Sequence, residues 1–153
     1  MKLKPEHFEM IKEQALTAAR EVKATGQDFI PVLILINATP QGELGAAQVV
    51  DLSEFTSDEQ AALHCKCSRM PEIAASLLIL ECWHVTIKPG EEVPTPGTLH
   101  TNPNRRETIL FNLMTAQEQY LLEADIVGKE VADADFVNAA PTPTHEWKGR
   151  FVR

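Results

Sequence analysis

Residues 76–88 read Ser-Leu-Leu-Ile-Leu-Glu-Cys-Trp-His-Val-Thr-Ile-Lys. A run this short and apolar, with few breaks, reads as a strand, and it is far too short to span a membrane. Strand alternation puts Leu77, Ile79, Glu81, Trp83 and Val85 on one face. The other face carries Leu78, Leu80, Cys82 and His84. Both rows begin apolar, so both faces need cover, which places this strand at the centre of a sheet.

A second constraint comes from residues 107–114 and 119–127, which alternate as two strands joined by Thr115–Glu118. A four-residue connection opposes Met114 to Gln119. Leu113 then faces Tyr120, Phe111 faces Leu122 and Ile109 faces Ala124, all apolar. The other face pairs Asn112 with Leu121, Leu110 with Glu123 and Thr108 with Asp125, and is mostly polar. One face in and one face out suits a half-buried antiparallel pair, and a one-residue slip would ruin it.

The remaining elements arrange themselves around this sheet. Residues 5–23 predict a helix, with Pro5 in its first turn and Phe8, Ile11, Ala15, Ala19 and Val22 as its apolar stripe. Residues 29–36 predict a strand covered on both faces, and residues 46–52 its hairpin partner after the turn-rich 37–45. Ser57 and Gln60 predict a capping box opening a helix that runs to about Met70, with Leu63, Cys67 and Met70 inward. Residues 89–104 form one long loop rich in proline and glycine, of the kind that is functional or mobile. The tail from about residue 133 is peripheral, with a breaker at 139–144 and a possible edge strand at 145–153. The expected fold is a single α+β domain over 1–153: a mixed, mainly antiparallel sheet with two helices packed on one face.

Composition narrows the function. With 153 residues, 44% of them hydrophobic, the chain can bury one core. A net charge of −8 repels phosphate, so a sequence-independent hold on nucleic acid is disfavoured. Neither a secretory signal nor a membrane span is evident, and three cysteines read as reduced thiols, so the expectation is a cytoplasmic protein. Nothing calls for a cofactor. Phosphate loops, dinucleotide-binding turns, nucleophile elbows and zinc-protease helices have no counterpart.

Glu81 is the residue that most invites a chemical role. A carboxylate on a central strand is costly unless it is paired or hydrogen-bonded. It reads either as a structural group or as an acid, base or metal ligand of shifted pKa. Arg105 and Glu107 open the hairpin on the same face, so Arg105 is expected to neutralise Glu81 in a bidentate pair. Glu81, Arg105 and Glu107 are thus the candidates for catalysis. Arg106, His84 and His100 are the candidates for ligand binding. A metal site of Glu81, His84 and His100 is disfavoured, because Glu81 and His84 point to opposite faces of a regular strand. His64-Cys65-Lys66-Cys67 is not read as a metal site either, since residues two apart on a helix diverge.

Leu80-Glu81-Cys82-Trp83, the loop, and Asn102-Pro103-Asn104-Arg105-Arg106-Glu107 together resemble uncharacterised proteins of bacteria and their phages. In these a strand ending in Glu-Ala-Trp is followed, after a loop rich in proline and glycine, by His-Pro-Asp-Arg-x-Glu and a β-hairpin. The likeness covers the middle third of the chain. Cys82 stands here for the alanine, and Asn102 and Asn104 for the histidine and aspartate. The resemblance implies a shared fold and a shared cluster of Glu81, Trp83, Arg105 and Glu107, and no activity. Two functions follow as expectations. One is a non-enzymatic partner-binding or assembly protein, oligomeric or not, that uses the 89–104 loop. The other is an enzyme or small-molecule binder with a carboxylate–arginine pocket at the loop base.

Overall fold

A computed structural model describes residues 1–85, 87–95, 98 and 101–139. Along the chain run α1 (Pro5–Ala24), β1 (Val32–Ala38), β2 (Leu44–Asp51), α2 (Ser57–Ser68), β3 (Ile73–His84), β4 (Arg106–Met114) and β5 (Gln119–Val127). Two short strands follow that the sequence pattern did not suggest, β6 (Glu130–Val131) and β7 (Val137–Asn138). His100 and the suggested edge strand at 145–153 lie outside the described residues. No described helix is long and apolar enough to cross a membrane.

The strands form one seven-stranded sheet in the order β2-β1-β3-β4-β5-β6, with β7 also on β5. The fold is α+β, and every described strand pair is antiparallel. β3 lies between β1 and β4, as its two apolar rows require. The β4–β5 register is the one the alternation dictated: Leu113 opposite Tyr120, Phe111 opposite Leu122, Ile109 opposite Ala124. Its second face departs from expectation on β4, where Thr108, Leu110 and Asn112 are all buried.

The cover over that face explains the difference. The two helices do not share a face, contrary to the expectation. Leu77 and Ile79 pack in one core with Ile11, Ala15, Leu16 and Ala19 of α1. Leu78 and Leu80, which alternation turns the other way, pack with Leu33, Leu52 and Cys67, the last on α2. The sheet is therefore sandwiched, α1 on one side and α2 on the other. A central strand apolar on both faces leaves no cheaper arrangement, since an uncovered row would keep its side chains in water.

α1 is held down by a ladder of period four: His7, Ile11, Ala15, Ala19 and Lys23 are all buried, together with Leu16. Its two ends are polar, and each meets a carboxylate. The His7 Nε2 atom lies 3.3 Å from Glu43 Oε2, while its Nδ1 accepts the Lys4 backbone N–H at 3.0 Å. Lys23 meets Glu81 at the far end. On the outer flank Arg20 donates to the Val131 carbonyl and pairs with Asp133, and Lys12 pairs with Asp135 at 2.7 Å.

α2 begins one residue earlier than the Ser57–Gln60 box implies. Thr56 is the cap: its hydroxyl accepts from the Glu59 N–H at 3.2 Å, and the Glu59 carboxylate accepts from the Thr56 N–H at 2.9 Å. The segment Thr-Ser-Asp-Glu-Gln carries two overlapping boxes, and the carboxylate is the better acceptor at a positive helix end. These bonds hold the Glu59 carboxyl below its usual range. Gln60 instead turns inward and donates to the carbonyls of Leu52 and Phe55. The inner face of α2 carries Gln60, Ala61, His64, Cys67 and Ser68, while Met70 is exposed rather than inward.

His64 is the polar centre of this second core. It is 1% exposed, and its Nδ1 lies 2.8 Å from Ser76 Oγ on β3. Asn112 of β4 sits beside it and accepts from Gln119 Nε2 at 2.9 Å. Burial drives the imidazole pKa down to about 4, against a smaller upward pull from Asn112. The unfolded chain then takes up a proton near pH 6.5 that the folded chain refuses until about pH 4. Stability is predicted to fall as pH drops through that window, by up to about 3 kcal/mol. Urea unfolding from neutral pH down to about pH 4 measures it, and His64→Gln should flatten that part of the curve.

Candidate functional site

The candidate residues gather where β3 ends and β4 begins, at the base of the 89–104 loop. β3 stays regular to His84, with Glu81 opposite Ile109, Trp83 opposite Glu107 and His84 opposite Arg106. Glu81 and Trp83 therefore face α1, and Cys82 and His84 face the α2 side. Glu81 and His84 do not converge. Among the described residues no three histidines, cysteines or acids are placed to hold a metal ion.

Glu81 is neutralised within the chain, by a different cation from the one expected. Its Oε1 lies 2.8 Å from Lys23 Nζ, and its Oε2 accepts the Phe29 backbone N–H at 2.6 Å. The two side chains are 7% and 16% exposed, so the contact is largely shielded from water. Lys23 comes from the last turn of α1, where the helix dipole favours a positive charge. The carboxylate thus ties the helix end, the segment entering β1 and the central strand into one joint. Both of its oxygens are engaged within the chain.

Arg105 does not reach Glu81. Its guanidinium lies 5.1 Å from the centroid of the Trp83 ring and donates to the Asn102 carbonyl at 3.1 Å. The expected pairing fails because Arg105 precedes β4, so strand alternation does not govern where its side chain goes. Trp83, Arg105, Arg106, Glu107 and Asp125 line an open cleft of about 440 Å³. The implied cluster of Glu81, Trp83, Arg105 and Glu107 is therefore split: three members share this cleft and Glu81 belongs to the α1 joint.

On the α2 side the remaining candidates pair across strands. His84 Nδ1 is 3.2 Å from Glu123 Oε2, and Arg106 is 3.2 Å from Asp125. Cys82 Sγ lies 3.3 Å from Thr108 Oγ1. These groups are partly exposed and satisfy one another. In the 89–104 loop every described residue is exposed except Pro94 and Asn102, and Val93 stands 74% exposed. On α2, Cys67 is buried and Cys65 only partly so, as divergent side chains two apart must be. Burial raises the Cys67 thiol pKa.

Sequence reasoning missed two features. Lys23 extends the spacing of Ala15 and Ala19 by four, so a charged residue on a buried stripe was the available signal for the partner of Glu81. The other is the trio of Ser76, His64 and Asn112, which has the residue types of a nucleophile, base and orienting amide. All three are 1% exposed or less, so no substrate can reach them, and they act as a packed polar core.

If the Lys23–Glu81 contact is the joint, Lys23→Met should cost about 3 kcal/mol by stranding a shielded carboxylate. Adding Glu81→Leu should recover most of that loss, because a hydrophobic pair suits the same space. Arg105→Ala should cost less than about 1 kcal/mol, as an exposed cation on an aromatic ring contributes little. Chemical denaturation of the variants checks all three. No protein-family model matches this chain, and no curated protein or solved structure is significantly similar to it.

Proposed function

We propose that this protein works by binding a macromolecular partner, as a small non-enzymatic assembly protein of the bacterial or phage kind that its sequence resembles. The observation that carries this reading is the apolar surface left open beside α1. That helix covers the β3–β5 half of its face, and a cleft of about 500 Å³ remains over β1 and β2. Met10, Phe29, Ile34 and Val49 are among its lining residues. Of these, Val49 is 68% exposed and Met10 42%. Exposed apolar side chains grouped this way are characteristic of contact surfaces. The contact surface is therefore the β1–β2 side, whereas the sequence had suggested the 89–104 loop.

A second reading has one observation in its favour, the cleft of Trp83, Arg105 and Arg106 at the other end of the sheet. A small anionic ligand could stack on Trp83 and pair with the guanidinium groups. A thermal-shift screen against zinc, magnesium, phosphate and small dicarboxylates separates the two. A ligand present at about 100 times its Kd would add about 2.7 kcal/mol of stability. For a domain of this size that is roughly 5 °C or more. Partner binding predicts shifts within about 1 °C for every compound, at the resolution of such a screen. A larger shift that Arg105→Ala abolishes would replace this reading with the ligand-binding one.

A further inference from the structure

We infer that the partner presents a short basic amphipathic helix, which lies in the cleft beside α1 on the floor of β1 and β2. This rests on the partner-binding reading above and names the chemistry of the segment that the surface takes. Val32, Ile34 and Ile36 of β1 make the floor with Ala47 and Val49 of β2. They share one face of the sheet, because Val32, Ile34 and Ile36 stand directly opposite Asp51, Val49 and Ala47 in the regular part of the ladder. Met10, Gln14 and Ala18, four apart along α1, make the wall.

Dimensions and hydrogen bonding select a helix. Two strands side by side are about 10 Å wide, which is one helix diameter. From Met10 to Ala18 the wall runs for about 12 Å, enough for about two turns of a second helix beside α1. A sheet face offers side chains and no backbone partners. An extended segment laid on it would leave its own amides unsatisfied, whereas a helix satisfies its own. An apolar row at a spacing of three and four residues would then meet the floor, as in other grooves that take a helix.

Charge selects a basic one. Acids stand at the end of the cleft where β1 begins. Asp28 precedes the lining residue Phe29, Asp51 is opposite Val32, and Glu21 continues the α1 row one turn beyond Ala18. All three are exposed. The Ser53 hydroxyl and backbone N–H both donate to Asp51, which holds its carboxyl below the usual range and keeps it ionised. Lys23 is buried against Glu81 at 2.8 Å and lies 3.9 Å from Asp28, so it offsets these acids only in part. At the opposite end Glu43 is met by His7 and Lys4. The net charge of −8 adds a long-range pull on cations. An acidic segment would gain the apolar floor and meet repulsion from the rim.

Calorimetric titration of the full chain with a designed leucine–lysine helix of about 16 residues tests this. The comparison peptides are a leucine–glutamate helix of the same pattern and a leucine–lysine peptide of the same composition with its pattern scrambled. The basic helix is expected to bind at a Kd on the order of tens of micromolar at low salt, loosening as salt is added. The other two should bind about tenfold more weakly or not at all. Val49→Glu adds an acid and spoils the floor, so it should weaken the basic helix about tenfold, whereas bare charge attraction would grow. Glu21→Lys puts a cation where the α1 dipole favours one, so the fold is kept and binding should fall about fivefold. Glu72→Lys, beside Leu35 and Gln48 at another hollow, should change it less than about twofold. Melting temperatures confirm that each variant is folded. Equal binding of the scrambled or the acidic peptide overturns the proposal, as does a basic helix that ignores Val49→Glu or does not bind. So does a concentration-dependent dimer that Val49→Glu abolishes, since a second copy would then be the occupant. None of these results bears on the small-ligand screen, which alone decides whether partner binding was the right reading.

Discussion

β3 has to be covered on both faces, and most of the molecule answers to that. Leu77 and Ile79 require one apolar layer and Leu78 and Leu80 another. α1 and α2 supply them from opposite sides, and β1 and β4 complete its hydrogen bonds. The same constraint makes the α2 layer partly polar. α2 lies over Ser76, so it must bring a group that can serve its hydroxyl, and it brings His64. A neutral imidazole can accept and donate at once, which fits a site where a charged residue would be costly to desolvate.

A charge on such a strand is tolerated only at its end, and only with a partner. Glu81 lies where β3 leaves the core, close enough to the surface for α1 to deliver Lys23 to it. α1 has a matching contact at its other end, His7 with Glu43, so the helix is pinned to the sheet at both termini by charge-assisted bonds and between them by small apolar residues. Ala15 and Ala19 let the helix approach closely, and the polar ends fix where along the sheet it sits. Packing supplies most of the attraction here, and the ion contacts supply register, which is the best-attested use of polar groups in a core.

How much of this was legible in the sequence follows from the range of each interaction. The β4–β5 register was readable because a tight connection and a period of two leave no freedom, and Leu113–Tyr120 through Thr108–Asp125 came out in place. The central position of β3 was readable for the same reason. The side on which each helix packs was encoded too, in the two apolar rows of β3, but a segment-by-segment reading does not use that information. What alternation could not reach was the partner of Glu81. Arg105 was near in sequence and right in charge, yet it sits before β4 in a loop, where a side chain goes to whatever aromatic or carbonyl it meets, here Trp83 and Asn102. Lys23 lies 58 positions from Glu81, and only its place on the α1 ladder betrays it. The α2 cap was missed by one residue because two boxes overlap and only the energetics of the acceptor choose between them.

The end of the sheet that drew attention in the sequence is thus the self-contained one. There Glu81, His84 and Arg106 each have a counter-group within the chain, and each contact holds two elements together. At the other border the reverse holds. β2 packs one side on β1 and borders an apolar floor that α1 is too narrow to cover. A single helix spans about 10 Å, roughly two strand spacings, so one helix cannot roof the whole sheet. Lys23 must reach β3 and Arg20 must reach Val131 beyond β5, which holds the C-terminal half of α1 over the β3–β5 half, while His7 at its other end reaches Glu43 just before β2. The contacts that fix the helix there are therefore the ones that leave β1 and β2 open on the α1 side.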